Sequence, residues 1–153
     1  MVLKMIVSGG QTGVDRGALD AALEAGFPCG GWCPRDRKAE DGTIPERYPL
    51  AETVSANYRS RTIKNVSDSD GTAIVYFGEL SGGTEETKLH CERLGKPYFL
   101  IDASEVTPDH GAELLAAFVD DCSIETLNVA GPRASKEPAA HAYARDFVRL
   151  LIP

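Results

Sequence analysis

One junction recurs along this chain and constrains its fold more than any other feature. An apolar run enters a glycine-rich turn, and a helical pattern leaves it. The junction appears after residues 4–8 as Gly9-Gly10-Gln11-Thr12-Gly13, and after residues 71–77 as Ser81-Gly82-Gly83-Thr84. It appears again after ETLNVA as Gly131-Pro132-Arg133. Strands that are apolar throughout, rather than alternating, are buried on both faces. Such strands joined through helices predict a parallel sheet covered on both sides. The expected fold is α/β: a Rossmann-like three-layer α/β/α domain with a mostly parallel sheet of about five strands. FPCGGW and KPYFLI supply the other two strands, the first weakened by Pro28, Gly30 and Gly31.

Helices are expected over residues 13–25, part of 52–67, and 84–94. Another starts at Thr107 and Pro108, a cap followed by proline. The last carries Ala140, Tyr143, Ala144, Phe147, Val148 and Leu151 at i, i+3, i+4 spacing, with Ser135 as its expected N-cap. No repeat or linker interrupts the pattern, and 153 residues suit one domain over residues 1–153. The polar stretch at residues 33–49 is too long for a simple connection, so it is expected to be functional or disordered. Its cations (Arg35, Arg37, Lys38, Arg47) alternate with Asp36, Glu40 and Asp41. They suit either a lid over an anion or a solvated loop.

A net charge of −7 argues against a nucleic-acid surface, which needs a basic face. Small anions stay open, because local backbone dipoles hold them. Four cysteines, Cys29, Cys33, Cys91 and Cys122, lack the paired spacing of a metal site. Reduced thiols, with no apolar segment of membrane-span length, point to the cytoplasm.

In open parallel sheets ligands sit beyond the carboxyl ends of the strands, where all three turns lie. The first turn is not a dinucleotide fingerprint. Ser8 replaces the first glycine, and no acidic residue ends the second strand. It is not a P-loop either, since Val14-Asp15-Arg16 follows Gly13 where Lys-Ser/Thr belongs. Glycines that bring the backbone close, and free N–H groups at a helix start, still attract phosphate. Thr12 and Asp15 have capping-box spacing, so Asp15 is either a cap or a ligand contact. Arg16 opposes the helix dipole and so calls for an anion or a partner carboxylate. Two such helix starts in one sheet suit a single crevice, and Arg133 adds a guanidinium.

These turns, taken with GGWCPRDRKAEDG and NVSDSDGTAIVYF, resemble the circularly permuted YpsA-like branch of the SLOG superfamily. The resemblance spans nearly the whole chain. Members of that branch carry the label molybdenum carrier protein. The resemblance implies a fold related to the lysine-decarboxylase-like LOG proteins and a pocket for a nucleotide or a molybdopterin-type cofactor. By position it implies Gly9, Gly10, Gln11, Thr12, Gly13, Gly82, Gly83 and Thr84 as pocket residues. Asp15, Arg16, Arg35, Asp70 and Arg133 fall in matching stretches. The glutamate of the LOG motif PGGxGTxxE, which cleaves the N-glycosidic bond, is replaced by Thr87, and Ser81 stands where a motif glycine belongs. A hydroxyl does not replace a carboxylate in that chemistry at neutral pH. The expectation is therefore a binding, carrier or sensor protein for a small phosphate-bearing molecule, with no catalytic residue assigned. A nucleotide-processing hydrolase is the alternative, and a scaffold whose turns hold nothing is a third reading. Related folds also imply a homodimer through the helices flanking the sheet.

The remaining candidates have plain readings. Asp68 and Asp70 suit a solvated turn better than a Mg²⁺ site. His90, His110 and His141 show no partner in sequence. Trp32 suits core packing or stacking on a ligand ring.

Overall fold

The computed structural model describes residues 2–153. In chain order the elements begin with β1 (Met5–Val7), α1 (Val14–Glu24), β2 (Cys29–Gly30) and β3 (Trp32–Cys33). A 3-10 turn at Arg35–Arg37 leads to β4 (Lys38–Ala39), β5 (Gly42–Thr43) and β6 (Ala51–Glu52). Then come α2 (Tyr58–Ser67), β7 (Gly71–Tyr76), α3 (Gly82–Leu94) and β8 (Tyr98–Asp102). The chain closes with α4 (Pro108–Asp121), β9 (Thr126–Ala130) and α5 (Ala140–Leu151).

The main sheet has the order β2-β1-β9-β7-β8, and every pair in it is parallel. The last strand of the chain therefore lies in the middle. Counting from β9 through β1, β2, β7 and β8 turns this into the doubly wound order 3-2-1-4-5. The chain is a circular permutation of that order, and its switch point falls between β9 and β7. Helices α1, α4 and α5 pack together, and α2 packs with α3. Gly17 allows the close approach of α1 and α5, since a Cβ there would collide with the His141 carbonyl. The main core joins Ile6, Val14, Val75, Leu115, Leu127 and Phe147.

Three local expectations are corrected. FPCGGW is not one strand. The chain turns at Gly31, with φ 130, because a Cβ there would strike the Ser8 carbonyl, and β2 and β3 enter different sheets. Ser135 does not cap α5. Lys136 and Glu137 instead donate to the Arg133 carbonyl in a separate turn, and α5 starts after Ala139.

The third correction concerns residues 33–49, which are neither disordered nor a loose lid. Cys33, Ala39, Ile44 and Tyr48 bury against Leu19 as a second small core. The Arg37 guanidinium donates to the carbonyls of Ile44, Pro45, Tyr48 and Leu50. Apolar residues so sparsely placed among charges show no helical or strand period, which is why the sequence pattern does not reveal them.

Candidate functional site

A cleft of about 160 Å³ opens at the switch point. Its walls come from the end of β9 through Arg133, the first turns of α3, one side of α2, and part of the opening turn. This is the crevice where doubly wound sheets bind ligands.

The opening turn is largely closed by the protein itself. The Gln11 amide donates to Asp15 Oδ2 at 3.2 Å, and the Thr12 amide to Gln11 Oε1 at 3.1 Å. Val14 N donates to the Pro132 carbonyl at 3.1 Å. Gly10 and Gly13 have φ of 80 and 83. A Cβ on Gly10 would meet Leu50, one on Gly13 would strike the Pro132 carbonyl, and one on Gly9 would strike the Arg61 guanidinium. These glycines make room for protein atoms.

Asp15 is buried and forms no capping box with Thr12. Its carboxylate accepts from Gln11 N and lies 3.4 Å from Arg61 Nη1. Burial pushes its carboxyl above the usual range, and the Arg61 charge opposes that shift. Thr12 accepts from Ala134 N at 3.1 Å and donates to the Glu40 carboxylate. Glu40 also takes the Ser135 hydroxyl and, at 3.2 Å, the Ser135 amide. Those hydrogen bonds from Ser135 and Thr12 hold its carboxyl below the usual range. The loop at residues 33–49 thus places its own carboxylate between the first and third turns.

The second turn is open. Ser81 is the N-cap of α3, yet its side chain makes no capping bond. Its Oγ accepts instead from Lys136 Nζ at 2.9 Å. A Cβ on Gly83 would meet nothing within 4 Å. Arg59, Arg61, Arg133 and Lys136 line the cleft, against the carboxylates of Asp15 and Glu86. A local cationic excess therefore sits in a chain of net charge −7. The Thr87 hydroxyl donates to the Gly83 carbonyl at 3.0 Å and is spent on its own helix.

Of the residues singled out from sequence, Gly9, Gln11, Asp15, Gly83, Thr84 and Arg133 line the cleft. Gly10, Thr12, Gly13, Arg16, Arg35 and Gly82 do not. Arg16 bends back to the Gly10 carbonyl at 2.9 Å and pairs bidentately with Asp41 at 2.6 and 2.8 Å. Arg35 is exposed, and its guanidinium lies 3.9 Å from the Asp36 carboxylate. Gly82 lies beside the cleft under Lys136 Nζ. Asp70 is at the opposite end of the sheet, accepting from the Glu125 and Thr126 amides.

Trp32 is also outside, its Nε1 donating to Asp68 and its ring covered by Lys64. His141, which shows no partner in sequence, meets Asp20 Oδ2 at 2.7 Å. Sequence reasoning missed Arg59, Arg61, Asn65 and Lys136. The available signal was α2 itself: YRSRTIKN has too few apolar residues for a helix packed only against a core, so its inner side must be polar.

Among the described residues no group of three or more His, Cys, Asp or Glu side chains is placed to hold a metal ion. No described helix is long and apolar enough to cross a membrane. The model of the circularly permutated YpsA SLOG family matches residues 6–152. A crystal structure of a protein from Syntrophus aciditrophicus SB, named "putative molybdenum carrier protein", is 41% identical with a TM-score of 0.96. The match covers 99% of this chain and 96% of that one. No curated protein matches the sequence.

Proposed function

The chain belongs to the circularly permutated YpsA SLOG family, and from that premise we propose that it is a carrier or sensor for a small phosphate-bearing ligand, a nucleotide or a molybdopterin-type cofactor. The observation that carries this reading is the uncapped start of α3, open at Gly83 and overhung by Lys136. Helix-start amides hold oxyanions, and guanidinium and ammonium groups add charge-assisted hydrogen bonds. The relative's name mentions molybdenum. Among the described residues no cluster of metal-ligating side chains stands ready for it, so in this reading the metal is cargo, carried on a phosphate-bearing pterin that amides and guanidiniums grip. Calorimetry with ribose 5-phosphate tests the reading. Micromolar to millimolar binding is expected, weakened roughly tenfold by Lys136→Ala. No heat, or an affinity unchanged in Lys136→Ala, would overturn it.

One observation favours the hydrolase alternative. Asp15 lines the cleft, and burial raises its carboxyl above the usual range, the direction that a general acid needs. Release of free base from nucleoside monophosphates, abolished in Asp15→Asn, would promote this second reading over the first.

A further inference from the structure

We propose that a second cleft, on the far side of Lys136, seats a flat heterocycle bearing an exocyclic amine, so that the ligand straddles Lys136. This rests on the phosphate reading above. The second cleft has a volume of about 190 Å³ and shares Thr84, Pro132 and Lys136 with the first. Its character is inverted. Lys136 is its one cation, and Tyr76, Phe77, Glu79 and Glu137 complete the wall with Ser81. Two carboxylates disfavour a phosphate there. They suit a group with N–H donors, because ionised carboxylates only accept. Two half-buried aromatics suit a planar ring.

The wall is also held in place before any ligand arrives. The Phe77 ring packs edge-on against Tyr143, with centroids 5.9 Å apart. The next residue, Gly78, donates its amide to Asp102 Oδ1 at 2.8 Å. The Lys136–Ser81 hydrogen bond marks the boundary between the two clefts. A phosphate on the α3 start would therefore lie within one side chain's reach of both. A nucleoside monophosphate and a pterin with a phosphorylated side chain share the required chemistry: planar ring, amine, phosphate.

Four probes separate the possibilities by calorimetry: ribose 5-phosphate, AMP, purine riboside 5′-monophosphate (AMP without its amine), and a pterin with a phosphorylated side chain. AMP or the pterin should bind at least about tenfold tighter than ribose 5-phosphate, and removing the amine should forfeit about tenfold. The double variant Glu79→Gln, Glu137→Gln should erase the preference for the amine while leaving ribose 5-phosphate affinity unchanged. Whichever amine-bearing probe binds tighter identifies the source of the ring. Equal affinity for all four, or an amine preference that survives the double variant, overturns the ring seat and leaves the phosphate reading standing. Failure of all four to bind overturns both.

Discussion

The turn at residues 9–13 and the turn at residues 81–84 have the same grammar in sequence and opposite fates in the fold. Each is an apolar strand, a pair of glycines, a threonine and a helix. In the first, the chain fills the space its glycines create: Pro132 lies on Gly13, Leu50 on Gly10 and Arg61 on Gly9. Side chains of Gln11 and Asp15 take the amides that a phosphate would need. In the second, Gly83 faces open space and the cap side chain turns to Lys136. A glycine turn is thus a permission for close approach, and what approaches is decided elsewhere in the chain.

The largest effect should come from giving both turns a methyl group. Gly13→Ala forces a Cβ into the Pro132 carbonyl at a positive φ, which should cost about 3–5 kcal/mol in urea unfolding. Gly83→Ala adds a Cβ that meets nothing within 4 Å. Its stability should stay within about 0.5 kcal/mol of the parent, while ribose 5-phosphate affinity falls. If the two variants unfold alike, the contrast between the turns is wrong.

Next in size is Glu40→Gln. The Glu40 carboxylate ties Thr12 to Ser135 and so closes the first turn from outside. Losing its charge should cost about 1–3 kcal/mol, because hydrogen bonds to charged groups are the strong ones. Its folded pKa is lowered from 4.5, so its stabilisation is full above the unfolded value and is lost as pH falls through the folded one. The variant should therefore lose part of the parent's acid sensitivity in a pH series of unfolding curves.

Asp15, in the same turn, has the opposite sign. Its folded pKa is raised from 3.8, so its contribution is fully present below the unfolded value and fades as pH rises through the folded one. Asp15→Asn should therefore gain stability relative to the parent as pH increases. A difference that is flat with pH would mean that Arg61 compensates the burial in full.

The five strands of the main sheet and the three turns at its rim were legible because apolar runs and glycine–threonine turns are local patterns. The closure of the first turn was not. Its agents, Glu40, Leu50, Arg61 and Pro132, lie 28 or more residues away in sequence from the residues they cover, as with Thr12 and Glu40. The cations of α2 were hidden for a related reason. Arg59 and Arg61 look like a solvated helix face until the sheet order brings α2 beside α3. Glu79 likewise gains meaning only from Glu137, 58 positions later, across the second cleft.

The smallest effect is expected at Thr87, and it bears on what the open turn is for. By the resemblance to the LOG proteins Thr87 stands where their motif has glutamate, and its hydroxyl donates to the Gly83 carbonyl. Thr87→Glu restores a carboxylate one turn into α3, on the wall of the cleft. General acid–base assistance is typically worth about 10²–10⁴-fold when the geometry is right. Here the new carboxylate would join Glu86 and Asp15 beside the same opening, and like charges oppose its ionisation and the approach of a phosphate. Ser81, which stands where that motif has glycine, accepts a hydrogen bond from Lys136 and ties the turn to the segment before α5. Base release from AMP by Thr87→Glu should therefore rise by less than about tenfold over the parent, measured by chromatography of free adenine. A rise of a hundredfold would mean that the open turn is a catalytic site lacking one carboxylate, and that its contrast with the closed turn is one of chemistry as well as access.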